Sequence, residues 1–464
     1  MNPMMLTLAQ AAMALDCTVR GAGDIAFARV STDSRDIRPG DLFVALRGER
    51  FDGHDFVADV LARGAAAAMV EADHPALAQL PADTPLLEVI DTTAALGRLA
   101  ARWRDRFDGL TVIGVTGSSG KTTLKQMIHA VLQNAHGADA VLATEGNLNN
   151  QIGMPLTLLR LNAGHRYAVI EMGMNHFGEI DYLTRLARPD VAVINNAGTA
   201  HIEFLGSRQG IAQAKGEIFA GLADDGVAVI NLDDDFAGYW QGLNPGRRIV
   251  GFGLSQGALH AESVETDTLS SRFTLCAPDG QASVSLPTPG LHNVRNALAA
   301  GAVCHALGLP VAAIASGLAH YQGAKGRLQQ KRTAAGALLI DDSYNANPDS
   351  VRAAIDVLAR LPGQRWLVLG DMGELDDLEN RHRDIGRYAA SQGLSGFYAV
   401  GTQMRHAVEA YGAGARWFDS HAALAEALAP QLGAESAVLV KGSLFMGMAR
   451  VVDALIASNG KEGA

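Results

Sequence analysis

The feature that most restricts the fold is an alternation of short, wholly apolar runs with longer amphipathic ones. "LTVIGV" (110–115), "YAVIEM" (167–172), "DVAVINN" (190–196) and "GVAVINL" (226–232) are continuous, strand-length and rich in β-branched residues. Strands covered on both faces read this way, as parallel strands between helices do. The runs between them carry helical spacing, so the chain from 110 onward reads as successive strand–helix–strand units.

A second alternation begins after the "GAKGRLQ" turn at 323–329, with "ALLIDDSY", "RWLVLGD", "GFYAVG" and "AVLVKGS" as its strands. Before 108 the strand signals are shorter ("DLFVAL", "AAAAMV", "PLLEV") and end in the helix-like "TAALGRLAARWRDRF", followed by a polar break at Asp108-Gly109. A chain of 464 residues is too long for one core. The reading is an α/β protein of three domains: a small α/β domain over 1–108, a central domain with a mainly parallel sheet over 109–322, and a Rossmann-like domain over 323–464. "LHNVRNALAAGAVCHALG" (291–308) reads as a helix with small residues on its packing face.

Composition excludes several classes. A net charge of −11 lacks the basic field of a nucleic-acid binder. Cys17, Cys276 and Cys304 are odd in number and far apart, which fits free, mostly buried thiols in a reducing compartment. The apolar N-terminus has no basic n-region, and Asp16 spoils a lipoprotein-type cleavage site at Cys17, so a helix capped near Thr7 is expected. No window approaches the length of apolar chain a membrane span requires.

Chemistry concentrates in "VTGSSGKTTLKQM" (115–127). The turn Thr116, Gly117, Ser118, Ser119, Gly120 follows an apolar strand, and Lys121, Thr122 and Thr123 open the next helix. Small residues let backbone N–H groups face phosphate oxygens, and the helix adds its positive end. Lys121 is placed to reach the β- and γ-phosphates, and Thr122 to put its hydroxyl on Mg²⁺. The longer form of this loop has glycine where Val115 stands. Glu171 ends the next strand, where a carboxylate suits Mg²⁺ or caps the following loop. His201, in "NNAGTAHIEFLGS", falls at the same sheet edge and is either a ligand or structural. Lys215, in "AQAKGEIF", taken alone is a solvated helix lysine. Asn147, Asn149 and Asn150, in "TEGNLNNQIGMP", either bond a ligand or shape turns. In "DDSYNANPDS", Asp342 stands at a strand end fit to accept from ribose hydroxyls, and Asp349 is expected to cap a helix starting at Ser350.

Together these stretches resemble the Mur ligase family, the ATP-dependent amino-acid ligases of peptidoglycan synthesis, over essentially the whole chain. "TGSSGKTT", "GNLNNQIGMP", "IEMGMNHFGEI", "AHIEFLGS", "AKGEIF", "PGLHNVRNALAA", "GRL" and "DDSYNANP" stand in the family's order. The shortened loop is the family's own form. "STDSRDIRPGDLFVALRGERFDGHDF" and "LGDMGELDDLENRHRDIG" look like the member that adds D-alanyl-D-alanine to UDP-N-acetylmuramoyl-tripeptide. The D-N-P-R stretch of the sibling that adds the third residue is absent.

The resemblance implies a cytoplasmic bacterial enzyme, monomeric by default, that makes an acyl phosphate from ATP and the tripeptide carboxylate. It assigns Lys121 to the phosphates, Thr122 and Glu171 to one Mg²⁺, and His201 to a second. Lys215 becomes a carbamate, a cation turned into a metal-binding anion. Asn293 and Asn296 approach adenine, Arg327 the phosphates and Asp342 the ribose. Ser31, Thr32, Asp33, Ser34, Arg35, Arg47, Gly48, Phe51 and His54 form the UDP-sugar pocket of the first domain. Asn147, Asn149 and Asn150 face the muramoyl-peptide, and Asn345 and Asn347 the D-alanyl-D-alanine. The rival readings are a sibling ligase that adds a single amino acid, a folylpolyglutamate synthetase, and a non-catalytic module switched by a nucleotide. A folate ligase has no UDP-binding domain, and a switch gives Glu171, His201 and Lys215 no purpose.

Overall fold

The structure is a computed structural model, and it describes residues 4–48, 51–198, 202–323, 326–373, 375 and 377–457. The chain forms two compact units. One comprises Met1–Ser263, Thr274–Val284 and Val294–His320, and the other Val264–Phe273, Ser285–Asn293 and Tyr321–Ala464.

The first unit holds two larger sheets over a shared apolar core. In its N-terminal part, strands Arg29–Ser31, Asp41–Val44, Ala67–Glu71 and Leu86–Val89 run parallel, and Thr18–Arg20 closes the edge antiparallel to Leu86–Val89. Helix Leu8–Leu15 begins as expected: the Thr7 hydroxyl accepts from Gln10 N–H, and the Gln10 side chain accepts from Thr7 N–H. Helix Thr92–Arg104 packs on the central part, where Trp103 Nε1 donates to the Leu161 carbonyl at 3.1 Å.

The central sheet has six parallel strands, in spatial order Arg248–Phe252, Val227–Asn231, Val191–Ile194, Thr111–Thr116, Tyr167–Glu171 and Val141–Ala143. The four expected apolar runs form four of these strands. Their side chains are almost all buried, as helices on both faces require. From the central strand Thr111–Thr116 the chain goes first to one side and later to the other. That reversal places the ends of Thr111–Thr116, Tyr167–Glu171 and Val191–Ile194 side by side at a topological switch point, the general location of ligand sites in open α/β sheets.

The second unit is also built on a six-stranded sheet. Leu338–Asp342, Ser436–Lys441, Gln364–Gly370, Gly396–Val400 and Ala415–Phe418 are parallel, and Gln329–Arg332 pairs antiparallel at the edge. That edge strand, and a three-stranded sheet of His260–Thr266, Ser271–Ala277 and Gly280–Leu286, have no counterpart among the strands expected from the sequence. Their residues alternate polar with apolar or are mostly polar, a weak signal beside the buried runs. Cys276 and Cys304 are buried, Cys17 half-buried, and all three are free thiols. Among the described residues no helix is long and apolar enough to cross a membrane.

Candidate active site

Thr116 ends its strand buried, with its hydroxyl on the Met172 carbonyl at 3.0 Å. The chain then turns through Gly117–Gly120 into helix Lys121–His136. Gly120 sits at φ +75°, in the left-handed region that only glycine occupies at little cost. A Cβ on Gly117 would lie 2.9 Å from Asn195 Cβ, so small residues are a packing requirement as well.

The loop is fixed from the neighbouring strand end. Asn195 Nδ2 donates to the Ser119 carbonyl at 3.0 Å, and Ser119 N–H donates to Asn196 Oδ1 at 2.9 Å. Ser118 N–H donates to the Asn196 carbonyl at 3.0 Å. Lys121 folds over the loop, with Nζ donating to the Gly117 carbonyl at 2.7 Å. Asn296 joins the same network, accepting from Asn195 Nδ2 at 2.8 Å.

Glu171 is 2% exposed at the end of Tyr167–Glu171. Its Oε1 accepts from Asn149 Nδ2 at 2.9 Å and, more loosely, from the Thr122 hydroxyl at 3.4 Å. Its Oε2 is buried, accepts no hydrogen bond among the described residues, and lies 3.2 Å from Lys125 Nζ. An acceptor with lone pairs to give, beside a hydroxyl and at the mouth of a phosphate loop, fits a hard cation such as Mg²⁺. Thr122 and Lys125 share one helix face, three residues apart.

Lys215 ends helix Arg208–Gly216 and is buried, so the reading of it as a solvated lysine is overturned. Burial holds its ammonium well below the usual lysine range, and nearby Lys121 pushes the same way. A neutral amine is the form that adds CO₂ to give a carbamate. His201 lies outside the described residues.

Asn150 shapes its turn: its Oδ1 accepts from the N–H groups of Ile152 and Gly153, opening helix Gly153–Leu158. Asn147 is exposed on the same loop. A cavity of about 370 Å³ lies beside it, lined by Asn150, Gln151, Gly173, Phe177, Gly178, Glu179, Tyr182 and Leu183.

The residues expected for the UDP pocket form their own networks. The Ser31 hydroxyl caps a turn at Asp33, and Arg35 pairs with Asp33, pulling that carboxyl down to about 2. Ser34 opens the short helix Ser34–Asp36, and Thr32 is half-buried just before it. Gly48 N–H donates to the Phe51 carbonyl at 2.9 Å, and the Phe51 ring stays exposed. Arg47 pairs with Glu71 at 2.7 Å. His54 is buried: its Nδ1 lies 2.6 Å from Asp52, and its Nε2 accepts from Glu71 N–H at 2.9 Å. His74 takes the other Asp52 oxygen at 3.1 Å and stacks on His54. Both histidines have both ring nitrogens engaged, so this cluster shapes the loop rather than holding a metal.

In the second unit, Asp342 is buried, accepting from Leu328 N–H at 3.0 Å and from Lys441 Nζ at 2.6 Å. Burial pushes its carboxyl up, and Lys441 draws it partly back. The Arg327 guanidinium stacks over Tyr344, 4.2 Å from the ring centroid. Asn293 Nδ2 donates to Thr288 Oγ1 and the Pro289 carbonyl. Asn345 Oδ1 accepts from Ala346 N–H. The helix expected to start at Ser350 under Asp349 starts instead at Pro348, capped by Asn347, whose Oδ1 accepts from Ser350 N–H at 2.8 Å. Proline favours the first helical position, which moves the cap one residue before it.

Lys125, Asn195, Asn196 and Lys441 belong to these networks and were not singled out from the sequence. Asn195, Asn196 and Lys441 stand at the ends of buried strands, the rule that marked Glu171. Lys125 stands four residues after Lys121, on the helix that rule does not cover.

Three family models match the chain: the Mur ligase family catalytic domain over 26–104, the Mur ligase middle domain over 115–304 and the Mur ligase glutamate ligase domain over 326–444. The UDP-N-acetylmuramoyl-tripeptide–D-alanyl-D-alanine ligase of Escherichia coli K12 is 42% identical over 97% of this chain and 98% of its own. The chain belongs to the Mur ligase family.

Solved Mur ligase structures agree. One crystal structure of MurF from Acinetobacter baumannii has a TM-score of 0.89 at 40% identity, covering 97% of this chain and 98% of that one. MurF from Thermotoga maritima, solved in complex with ADP, has a TM-score of 0.74 at 30% identity, covering 92% and 96%. The Mur ligase middle-domain match takes in the loop, Glu171, Lys215 and Asn296 together.

Proposed function

We propose that this chain is an ATP-dependent amide ligase that joins D-alanyl-D-alanine to UDP-N-acetylmuramoyl-tripeptide in cytoplasmic peptidoglycan precursor synthesis, acting as a monomer. The observation that carries the reading is the full-length likeness to the E. coli ligase of that name, 42% identical over 97% of this chain. The loop, Thr122 and Glu171 supply chemistry that fits it.

The terminal carboxylate of the tripeptide attacks the γ-phosphorus of ATP, the bond to the bridging oxygen breaks, and ADP leaves. The acyl phosphate is then attacked by the dipeptide amine, and a tetrahedral intermediate expels phosphate as the amide forms. A carboxylate is a poor electrophile, and phosphorylation gives it a leaving group. What the chain contributes is position and charge. The loop N–H groups and Lys121 hold the phosphates. Asn195, Asn196 and Asn296 keep the loop in shape. Thr122 and Glu171 would hold one Mg²⁺, and carboxylated Lys215 with His201 a second. When bound, these ions offset the repulsion between the carboxylate and the triphosphate.

In this reading 1–108 holds the UDP-sugar through Ser31–Arg35, Arg47, Gly48, Phe51 and His54. Residues 109–322 hold ATP, and 323–464 hold the dipeptide. Asn147, Asn149 and Asn150 face the muramoyl-peptide, Asn293 and Asn296 adenine, Arg327 phosphate, Asp342 ribose, and Asn345 and Asn347 the dipeptide. The test is ADP release from Mg-ATP. Release only with both the tripeptide nucleotide and D-alanyl-D-alanine, giving a product one dipeptide heavier, supports the proposal. Release with the dipeptide nucleotide and a single amino acid would move the chain one step earlier in the pathway. No stimulated release under any pairing would refute ligase activity.

A further inference from the structure

We infer that Lys125 is a positioning residue for the metal-binding carboxylate, an inference that rests on the proposed role of Glu171. Lys125 is fully buried in the second turn of helix Lys121–His136, and its Nζ lies 3.2 Å from Glu171 Oε2, itself on a side chain 2% exposed. This is an expensive place for a cation. Burial strips its hydration, and the N-terminal end of a helix is its positive end. The first turn carries no acidic residue to offset either effect. Glu171 does so from the neighbouring strand end.

The geometry gives the pair a direction. Asn149 and Thr122 engage Glu171 Oε1, and Lys125 faces Oε2. With side chains held against both oxygens, the carboxylate plane is fixed. Thr122 and Lys125 lie on one helix face, so the helix that carries the phosphate loop also orients the acid opposite it. Lys121, folded over the loop, remains the phosphate lysine. Outer-shell partners of this kind set metal affinity by holding the ligand still.

The experiment titrates Mn²⁺ into the ADP complex and reads free Mn²⁺ by electron paramagnetic resonance. The proteins are wild type, Lys125→Met, Lys125→Arg, Glu171→Gln and the double variant Lys125→Met/Glu171→Gln. Lys125→Met should weaken Mn²⁺ binding about 10- to 100-fold, and ADP affinity in EDTA should stay within about threefold of wild type. The double variant should bind no more weakly than Glu171→Gln alone, because the inferred effect of the lysine on the metal runs through the glutamate.

Unchanged or tighter Mn²⁺ binding in Lys125→Met, with Glu171→Gln impaired, overturns this inference and leaves the metal site standing. Wild-type binding in Glu171→Gln overturns the metal site and this inference with it. If Lys125→Met fails to fold, the other variants decide. Lys125→Arg should keep Mn²⁺ affinity within about threefold of wild type, and the double variant, with no unpaired charge, should fold and match Glu171→Gln. Loss of Mn²⁺ binding in Lys125→Arg, or a double variant weaker than Glu171→Gln, overturns it.

Discussion

Asn195 Nδ2 donates to Asn296 Oδ1 at 2.8 Å and to the Ser119 carbonyl at 3.0 Å, so one amide at a strand end ties a helix to the phosphate loop. Asn195 is 2% exposed, and water does not replace those bonds. Asn195→Ala should therefore cost about 1–3 kcal/mol and loosen the loop, lowering ADP affinity about tenfold. Thermal melting and an ADP titration check both; wild-type ADP affinity would show that the loop does not depend on this amide.

Gly120 tests the same network from the other side. At φ +75° an alanine is strained, and its Cβ would stand 2.5 Å from Asn296 Oδ1 and 2.7 Å from Asn195 Nδ2. Gly120→Ala should lose about 1–3 kcal/mol from backbone strain and weaken ADP binding. Adding Asn296→Ala should remove the nearer of these two contacts and leave the strain and the contact with Asn195, so rescue should be partial. Full rescue would mean that the left-handed backbone contributes nothing.

The strands that carry the site were legible because burial on both faces writes itself as unbroken apolar runs. The four runs at 110–115, 167–172, 190–196 and 226–232 became the core of the central sheet. The place of Glu171 beside the loop was legible because it ends such a run, and the sequence left metal binding and loop capping both open. Lys125 was not, because a lysine on an amphipathic helix reads as solvated until the fold buries it. The same blindness led Lys215 to be read as exposed. Asn347 was missed as a cap because Asp349 is an equally good cap by residue type, and only the placement of Pro348 decides between them.

Lys121→Ala should abolish turnover and leave the fold intact. Within the chain it loses, among its contacts, the hydrogen bond from Nζ to the Gly117 carbonyl, worth about 1 kcal/mol. Steady-state ADP release and a melting curve separate the two effects, and turnover near wild type would remove Lys121 from the phosphate site.

Lys441→Met should destabilise the second unit by about 3–5 kcal/mol, because it leaves Asp342 buried without its cation. Asp342 already has its carboxyl pushed up by burial. Its folded value lies above its unfolded one, so its contribution to stability is present at low pH and is lost as pH rises through the folded value. Without Lys441 that value rises further, so denaturant melts of the variant should show a deficit that shrinks on acidification from neutral pH toward 5. A deficit independent of pH would mean that Asp342 is not the group left uncompensated.

Lys215 gives a pH dependence of opposite sign. Burial first, and Lys121 second, hold its amine well below the usual lysine range. An unfolded lysine titrates near about 10.4. Between the depressed folded value and that one the unfolded chain binds a proton that the native chain does not, so stability rises with pH across the window. Lys215→Met removes the difference. In carbonate-free buffer, wild type should therefore gain more stability between pH 7 and 9 than Lys215→Met does. Parallel curves would mean that the buried amine keeps its proton. The same neutral amine is the one able to take up CO₂. Lys215→Ala should accordingly lose turnover and recover part of it with added formate or acetate, which restore an anion in the space the side chain leaves. Absence of any recovery, with the variant folded, would count against the carbamate and leave Lys215 a buried neutral lysine.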